Sequence, residues 1–259
     1  MSLSTERMRV VITGAASGIG RATAHAFLRN GARVHICDVD QDLIDQCRAD
    51  LPGIGTTLAD VSDPSQVELL FDRAVERMGG LDVLVNNAGI SGPTARVEAV
   101  APEAWNRVMA VNVTGQFYCA RCAVPLLKEA GGGSIVNISS TAGLRGYPMR
   151  SPYATSKWAV IGFTKTLAME LGEFGIRVNA VCPGKVEGER MDRVIAAAAE
   201  EKSLSPEKVR EEYYRLTSLR TFVTAQDIAN LILFICSEAG SKISGQALAV
   251  DGHTEILRT

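Results

Sequence analysis

The strongest constraint on the fold is a regular alternation of short apolar runs with longer stretches of helical periodicity. The apolar runs are rich in valine and isoleucine, which is typical of buried strands. Seven strands are predicted, at residues 8–13, 32–38, 54–58, 81–85, 135–138, 176–181 and 245–250. No linker divides the seven strands, and there is no internal repeat. We therefore predict one doubly wound α/β domain over residues 1–259, with a seven-stranded parallel sheet and helices on both faces.

A glycine-rich turn joins the first predicted strand to the first predicted helix. It has the spacing GxxxGxG, with glycines at Gly14, Gly18 and Gly20. A helix N-terminus carries unpaired N–H groups and positive potential, and glycines let the backbone approach an anion. A single glycine motif is also compatible with a tight turn. Its place at the start of a strand–helix–strand unit favours binding of a dinucleotide phosphate.

The second predicted strand ends in Asp38. A carboxylate at this position can accept hydrogen bonds from both hydroxyls of an adenosine ribose, and it repels a 2′-phosphate. No arginine or lysine follows at Val39 or Asp40, and none lies in the glycine turn before Arg21. The sequence therefore favours NAD over NADP. A helix N-cap is the alternative role of Asp38.

Residues 134–168 are predicted to form a strand, a loop and a helix. The strand ends in Ser139 and Ser140, and the helix carries Tyr153 and Lys157. Their spacing of four places the tyrosine and the lysine on one helix face. A lysine cation beside a phenol lowers the pKa of the phenol, which makes it usable as an acid or base near neutral pH. Taken alone, the pair is also compatible with an ordinary amphipathic helix.

Three asparagines occupy positions where a side-chain amide needs partners. Asn86 and Asn87 follow the fourth predicted strand, and Asn112 lies among apolar residues in a helix predicted over 102–129. Buried amides are costly without hydrogen bonds, and asparagine is unfavourable inside a helix. Each of the three is therefore either a satisfied structural amide or a group that contacts a ligand.

The segment 185–222 breaks the alternation. It is rich in charged residues and contains two helical patterns, MDRVIAAAAEEK and PEKVREEYYRLT. We predict two short helices that form a lid over the mouth of the site. A solvated surface excursion and a subunit contact are the alternatives.

Composition excludes several classes of function. The formal net charge of −2 indicates no polyanion-binding field, and no basic run or RNA-binding aromatic motif is present. No apolar run reaches the length of a membrane span, and the N-terminus lacks a signal-peptide pattern. Six cysteines do not form a disulfide framework in a chain this long, and Cys119 and Cys122 lie in a helical pattern without a second ligand pair. We therefore expect a cytoplasmic protein without metal, nucleic-acid or membrane partners.

Together these motifs resemble those of the short-chain dehydrogenase/reductase family in its compact single-domain branch, from Val10 to Gly252. The resemblance rests on the order and spacing of Thr13-Gly14-xxx-Gly18-Ile19-Gly20, Asp60, Asn86-Asn87-Ala88-Gly89, Asn112, Ser140, Tyr153-xxx-Lys157, Asn179, Pro183-Gly184 and Val250-Asp251-Gly252. It implies a Rossmann-like fold and hydride transfer between a nicotinamide and a secondary alcohol or ketone of a small molecule.

The resemblance also implies a role for each matching residue. Tyr153 would be the acid/base, and Ser140, which has the family's usual offset from it, would polarise the substrate oxygen. Lys157 would assist the tyrosine and bind the nicotinamide ribose, and Asn112 would hold a water in a proton relay. The rest of the NAD-binding set would be Gly14, Ser17, Gly18, Ile19 and Gly20 at the pyrophosphate, Asp38 at the ribose, Asp60 and Val61 at the adenine, Asn87, Ala88 and Gly89 at the inner cofactor, and Pro183, Gly184 and Val186 at the nicotinamide.

Two positions depart from the family's pattern. The threonine that commonly follows the proline–glycine pair and contacts the carboxamide is replaced by Gly188, so a neighbour or the backbone must supply that contact. The C-terminal motif ends in His253 where a second glycine is usual, which we expect to be harmless. Because the family is typically dimeric or tetrameric, we expect a homotetramer or a homodimer.

The substrate is less constrained than the reaction. Arg145 and Arg150 lie between the serine and the tyrosine, and Arg190 and Arg193 begin the predicted lid. If two of them face the site, an acidic substrate follows, because arginine pairs with carboxylates in a bidentate manner. If the arginines instead lie on the surface and serve solubility, they do not indicate an acidic substrate. We expect a small polyol, sugar or hydroxy acid, with a cyclic alcohol or steroid as the alternative, and a non-catalytic NAD-binding sensor as the alternative of another class.

Overall fold

The structure is a computed structural model that describes residues 5–254, without the side chains of residues 190, 197 and 201. The described chain forms a seven-stranded parallel sheet. Its strands are β1 (Arg9–Thr13), β2 (Arg33–Asp38), β3 (Gly55–Leu58), β4 (Val83–Asn86), β5 (Gly133–Ile138), β6 (Ile176–Pro183) and β7 (Ala247–Val250). Their order is β3-β2-β1-β4-β5-β6-β7, so the predicted doubly wound sheet is confirmed.

Helices cover both faces of the sheet. They are α1 (Gly18–Arg29), α2 (Gln41–Asp50), α3 (Pro64–Met78), α4 (Pro102–Met109), α5 (Gly115–Glu129), α6 (Ser151–Leu171), α7 (Glu189–Lys202), α8 (Pro206–Arg215) and α9 (Ala225–Cys236). Alternate residues of each strand point to opposite faces. In β1, Val10 and Ile12 pack with α1, α2 and α9, whereas Val11 packs with α3, α5 and α6. Burying each such side chain contributes about 1.5–3 kcal/mol.

The helix predicted over 102–129 is confirmed in its bounds, but it contains a π-helical turn that was not predicted. A π-helical turn at Ala110–Thr114 separates α4 from α5, and Asn112 lies at its centre. A π-turn adds one residue to the helix and rotates the side chains that follow it. The turn is stabilised by hydrogen bonds that Asn112 accepts from and donates to the backbone of Ile90 in a distant loop, which local helix propensity cannot indicate.

The segment 185–222 contains the two predicted helices, α7 and α8. They enclose a small apolar cluster of their own, built from Ile195, Ala199, Val209 and Phe222. This cluster is distinct from the two large clusters that line the sheet. The role of the segment as a lid, and the organisation of residues 1–259 as one domain, stay predictions. None of the helices described is long and apolar enough to cross a membrane.

Candidate active site

The predicted site residues gather at the carboxyl ends of the central strands. The strand order reverses between β1 and β4, and ligands of open α/β sheets bind in the crevice beyond such a reversal. The glycine turn follows β1, Asn87 follows β4, Ser140 follows β5, and Pro183 ends β6. One edge of the sheet therefore carries these four segments of the predicted site, and Lys157 on α6 reaches the same edge at Ile138.

Backbone constraints explain the glycines of the turn. Gly14 has φ +59°, in the left-handed region that favours glycine. A Cβ added at Gly20 would lie 2.6 Å from Cα of Ala15 and from Nδ2 of Asn87. The Asn87 amide donates to the carbonyl oxygens of Thr13 and Gly14 at 3.0 and 2.6 Å. Asn87 therefore holds the turn in place from the neighbouring strand.

The turn fits the pyrophosphate of a dinucleotide. Ser17 is the N-cap of α1, and its side chain makes no capping hydrogen bond. Gly18, Ile19 and Gly20 form the first turn of the helix, and both Ser17 and Gly18 are exposed. The first N–H groups of a helix lack partners within the helix, and the glycines leave space above them. An anion could therefore approach the helix N-terminus closely.

Asp38 lies at the end of β2, next to the glycine turn. Its carboxylate accepts hydrogen bonds from the backbone N–H of Ala16 at 3.1 Å and of Val39 at 2.8 Å. The alternative role as an N-cap is wrong, because Asp40 caps α2 and accepts from two backbone N–H groups there. Asp38 is half-buried at the mouth of the crevice, where a ribose of a bound dinucleotide could reach it.

Asp60, predicted to contact the adenine, is held by protein groups. Its carboxylate accepts from Ser62 N and Oγ at 2.9 and 2.7 Å and from Arg107 Nη2 at 2.8 Å. Burial raises the pKa of Asp60, but the hydrogen bonds from Arg107 and Ser62 outweigh it, and the net pKa lies below its usual value. Val61 is buried and lies against Gly115. The role of Arg107 was missed, because a basic residue on a helix does not reveal a distant partner.

Lys157 is buried beside Tyr153, one turn further along α6. Its Nζ donates to the carbonyl oxygen of Ile138 at 2.9 Å and lies 5.6 Å from the centroid of the Tyr153 ring. Only 3% of the Lys157 surface is exposed. The end of β5 therefore fixes a buried cation next to a half-buried phenol, as the spacing of the two residues predicts.

The two serines at the end of β5 have different environments. Ser139 is buried, and its hydroxyl donates to the carbonyl oxygen of Lys157 at 2.8 Å. Ser140 is half-buried and accepts from the backbone N–H of Ala142 at 3.1 Å, at the start of a short helical turn. A hydroxyl group that accepts one hydrogen bond still has its own proton to donate. This difference favours Ser140 as the serine that contacts a substrate.

Asn112 holds the loop that follows β4. Its Oδ1 accepts from the N–H of Ile90 at 2.8 Å, and its Nδ2 donates to the Ile90 oxygen at 2.9 Å and to Ser156 Oγ at 3.0 Å. A Cβ added at Gly89 would lie 3.3 Å from Asn112 Oδ1 and 3.4 Å from Lys157 Nζ. Asn112 is therefore a satisfied core amide that places this loop beside Lys157.

Asn86 is a structural amide that is satisfied at its Nδ2 only, because its Oδ1 is buried without a hydrogen-bond partner among the described residues. Its Nδ2 donates to Oδ1 of Asn137 at 2.9 Å, and Nδ2 of Asn137 donates to Thr164 Oγ1 at 2.9 Å. These buried hydrogen bonds join β4, β5 and α6 beneath the site.

The segment after β6 is anchored on both sides. The N–H of Gly184 donates to the carbonyl oxygen of Val250 at 2.9 Å. A Cβ added at Gly184 would lie 2.5 Å from Cβ of Asp251, so only glycine fits between the two strands. Val186 then pairs with Val223 in a parallel bridge. These contacts fix the point at which the chain leaves the sheet toward α7.

Both departures from the family's pattern occur at residues with positive φ. Gly188 has φ +128° and is the N-cap of α7, so a threonine there would adopt a strained backbone. His253 has φ +60°, which explains why a glycine is usual at this position. Its ring Nδ1 lies 2.6 Å from Ser218 Oγ. The histidine therefore ties the end of β7 to the base of the predicted lid.

The arginines of the loop and the predicted lid have different surroundings. Arg145 forms an ion pair with Asp251 at 3.4 Å. Arg193 is exposed, and the side chain of Arg190 lies outside the described residues. Arg150 contacts Tyr153, with its Cζ 5.3 Å from the centroid of the phenol ring. Of the arginines whose side chains are described, Arg150 is therefore the one beside the predicted acid/base.

Lys185 is a basic residue of this region that the predictions missed. It is half-buried, directly after Gly184, and its Nζ lies 5.6 Å from the centroid of the Tyr213 ring. Burial lowers the pKa of Lys185, and the nearby charge of Arg145 lowers it further. Its position directly after Pro183-Gly184, which the resemblance places at the nicotinamide, could have indicated that it lies near the site.

Comparison with known proteins identifies the family. The family model described as Enoyl-(Acyl carrier protein) reductase matches residues 14–253. The 3-oxoacyl-acyl-carrier-protein reductase FabG of Thermotoga maritima is 38% identical to this chain, over 93% of the chain and 95% of that protein. The protein therefore belongs to the short-chain dehydrogenase/reductase family.

Two solved structures with this fold contain different cofactors. A variant of actinorhodin polyketide ketoreductase with NADPH matches with a TM-score of 0.91 and 33% identity, over 96% of this chain and 98% of that one. NAD+-bound xylitol dehydrogenase matches with a TM-score of 0.90 and 28% identity, over 97% and 100%. These matches support a Rossmann-like oxidoreductase with a nicotinamide cofactor, and they do not select between NAD and NADP.

Proposed function

We propose that this protein is an NAD(H)-dependent dehydrogenase/reductase that interconverts a secondary alcohol and a ketone of a small molecule. The observation that carries the proposal is the buried Lys157 cation, held by the Ile138 carbonyl oxygen within 5.6 Å of the Tyr153 ring centroid. A fixed cation favours the phenolate form of a neighbouring tyrosine. The half-buried Ser140 hydroxyl lies at the end of the strand that carries Ile138.

The chain's own groups would handle the proton while the cofactor supplies the redox chemistry. When bound, the nicotinamide accepts or provides the hydride. Tyr153 Oη takes the hydroxyl proton of the alcohol in oxidation and returns a proton to the carbonyl oxygen in reduction. Ser140 donates a hydrogen bond to the same substrate oxygen, and Lys157 stabilises the phenolate. Lys157 also binds the ribose hydroxyls of the cofactor.

We assign a positioning role to Asn112. Both ends of its amide are occupied by Ile90 and Ser156, so its side chain holds the loop after β4 beside Lys157. A water in a proton relay would then be held by Lys157 and backbone groups rather than by the Asn112 amide.

The choice of NAD follows from Asp38. Its negative charge at the end of β2 would repel the 2′-phosphate of NADP and accept hydrogen bonds from ribose hydroxyls. The other proposed contacts are Gly14, Ser17, Gly18, Ile19 and Gly20 at the pyrophosphate, Asp60 and Val61 at the adenine, Asn87, Ala88 and Gly89 at the inner cofactor, and Pro183, Gly184 and Val186 at the nicotinamide. The Asp60 carboxylate is already paired with Arg107. Asp60 would therefore help to bind the adenine by shaping the loop after β3 rather than through its negative charge.

We further propose a homotetramer or homodimer with a mobile lid. Large apolar side chains are exposed on α5 and α6, with Phe117 46%, Trp158 51% and Met169 87% exposed. Exposed apolar surface on neighbouring helices favours burial against a second copy. The helices α7 and α8 would close over the substrate. Free cysteines fit a cytoplasmic location.

Turnover of secondary alcohols and ketones by wild type and Tyr153→Phe tests the proposal. We expect the variant to lose about 10²- to 10⁴-fold in kcat, because it cannot exchange the proton. Quenching of Trp105 and Trp158 fluorescence should show that the variant still binds NADH. Turnover by Tyr153→Phe at the rate of the wild type would refute the role of Tyr153. NADH binding without turnover of any alcohol by wild type would favour the sensor alternative.

A further inference from the structure

Arginines that are partly buried in this protein are matched by acceptors. Arg9 is paired with Asp82 at 2.7 Å, and Arg145 with Asp251 at 3.4 Å. Arg177 donates to four backbone carbonyl oxygens around the end of α9. Such partners compensate for the loss of water around a guanidinium group.

Arg150 differs from Arg9 and Arg145 because its hydrogen-bond acceptors carry no charge. Its Nη1 donates to Thr94 Oγ1 at 3.3 Å, and its Nη2 donates to the Ser91 carbonyl oxygen at 3.1 Å. Its Nε is buried without a hydrogen-bond partner among the described residues. Both acceptors are neutral, and within residues 5–254 no described carboxylate lies within ion-pair distance of this guanidinium group. Because guanidinium carries five N–H donors, Arg150 retains donors and an uncompensated charge.

The position of Arg150 is fixed by its surroundings. The N–H of Ala95 donates to the carbonyl oxygen of Met149 at 2.9 Å, which joins the loop after β4 to the loop after β5. Met149 has φ +65°, a conformation that non-glycine residues seldom adopt and that costs energy. The surrounding contacts therefore maintain a strained backbone directly before the arginine.

The guanidinium group lies close to the proposed chemistry. Arg150 Cζ is 5.3 Å and Lys157 Nζ is 5.6 Å from the centroid of the Tyr153 ring. A substrate whose reacting oxygen contacts Tyr153 would thus have only a few bonds between its carbinol carbon and Arg150. A small hydroxy acid has its carboxylate at that distance, whereas a neutral alcohol would leave the charge unmatched.

We propose that Arg150 binds the carboxylate of the substrate, and that the substrate is a small hydroxy acid or the corresponding keto acid. This inference rests on the proposed function, and it adds a specificity-determining residue to it. The planar guanidinium fork can bind both oxygens of a carboxylate, which orients the molecule as well as attracting it. The contacts to Ser91 and Thr94 would hold the fork in place.

The inference is tested first by binding, without turnover. Butyrate and its neutral isostere butyramide are titrated by calorimetry into the protein saturated with NADH. We expect wild type to prefer butyrate, and Arg150→Gln to lose roughly 10- to 100-fold in butyrate affinity, because a charge-assisted contact is removed. Arg150→Lys should retain part of the preference, since it keeps the charge without the fork. Arg29→Gln removes an equal charge from an exposed position in the last turn of α1, outside the proposed site, and should retain the full preference.

A second measurement compares kcat/KM for 3-hydroxybutyrate and 2-butanol. The ratio should favour the acid in wild type and in Arg29→Gln, and it should fall at least tenfold in Arg150→Gln, mainly through KM. NADH binding by Arg150→Gln serves as the check that the variant is folded.

The two proposals fail separately. Equal affinity of wild type for butyrate and butyramide, or a preference that survives in Arg150→Gln, would overturn the role of Arg150 even if alcohols are oxidised. Loss of the butyrate preference in Arg150→Gln would support that role even if no alcohol is oxidised, in which case the proposed reaction alone would be wrong.

Discussion

The proposed cofactor side and the proposed substrate side of the crevice are built in different ways. On the cofactor side, residues 9–61, backbone geometry decides which residues fit. Gly14 has a left-handed conformation, and Gly20 has no space for a Cβ. On the substrate side, residues 139–150 and 187–222, the decisive groups are side chains such as Arg150. A shared cofactor imposes shared backbone constraints, whereas loop side chains can change the substrate without changing the fold.

The two sides also differ in packing. The cofactor side contributes Ile12 and Ile36 to a large cluster beneath the sheet. The helices α7 and α8 of the substrate side depend on the small cluster around Ile195 and Val209. Regions with small local cores open at a lower free energy than the global unfolding reaction. The substrate side should therefore move while the cofactor side stays folded.

Gly20→Ala tests the backbone constraint on the cofactor side, and among these variants we expect it to cause the largest loss of NADH affinity. The new Cβ would lie 2.6 Å from Cα of Ala15, so the turn must shift away from its phosphate-binding geometry. If overpacking of about 1–3 kcal/mol must be overcome on binding, the NADH affinity falls by roughly 5- to 150-fold. Fluorescence titration with NADH measures this loss.

Gly162→Ala is the matched control for Gly20→Ala. Gly162 lies in α6, and a Cβ added there meets no atom within 4 Å. Alanine is also favoured over glycine in a helix by roughly 0.5–1 kcal/mol. We expect unchanged NADH affinity and an equal or higher melting temperature. Unchanged NADH affinity in Gly20→Ala would contradict the close packing assigned to the turn.

The cofactor side should also set part of the pH dependence of stability. His35 in β2 is buried, with Nε2 2.8 Å from Thr57 Oγ1, and burial lowers its pKa to about 4, helped by the charges of Arg77 and Arg73. The unfolded histidine takes up its proton near pH 6.5, whereas the folded one does so only near pH 4. Stability should therefore fall as the pH drops through this interval, by up to about 3 kcal/mol.

Urea unfolding of wild type and His35→Gln at about pH 7 and about pH 4.5 measures this contribution. Carboxylates that titrate in the same interval affect both proteins, so the difference between the two losses belongs to His35. We expect the wild type to lose more free energy of unfolding than the variant. Equal losses would mean that the buried histidine does not resist protonation.

A smaller effect is expected when only the charge of Asp38 is removed. Asp38→Asn retains an acceptor for the Ala16 N–H, which is 3.1 Å away, so the glycine turn should keep its geometry. The repulsion of a 2′-phosphate is lost, and we expect the preference for NADH over NADPH to fall about tenfold, or 1.4 kcal/mol in the difference between the binding free energies. Paired titrations with both cofactors give this ratio. A wild type that binds NADPH more tightly would contradict the assignment of NAD.

Much of the fold could be predicted because its signals are local. Strand periodicity predicted the seven strands to within a few residues, as in β3, predicted at 54–58 and observed at Gly55–Leu58. The π-turn around Asn112 could not be predicted in this way. It depends on hydrogen bonds to Ile90, a residue outside the helix. Local propensity describes a helix well until a tertiary contact changes its geometry.

The candidate site shows the same limit. Tyr153 and Lys157 are close in sequence, so their spacing alone indicates a shared helix face. The partners of charged groups were missed where they are far apart along the chain, as for Arg107 and Asp60. The sequence alone did not distinguish among the four arginines that were candidates to face the site. The loop geometry places Arg150 beside Tyr153. Side-chain pairing between loops is decided by packing of the whole domain.

The smallest expected effect on global stability comes from Ile195→Ala, and it tests whether the substrate side is an independent unit. Both Ile195 and Ile36 are almost fully buried, so truncation of either removes about 2–5 kcal/mol of local packing. Ile36→Ala should lower the melting temperature of the whole protein. Ile195→Ala should leave that temperature nearly unchanged but raise KM for the alcohol, because it loosens α7 and α8 alone. Equal drops in melting temperature would mean that the small cluster is part of the main cooperative unit, and that the substrate side cannot move independently of the cofactor side.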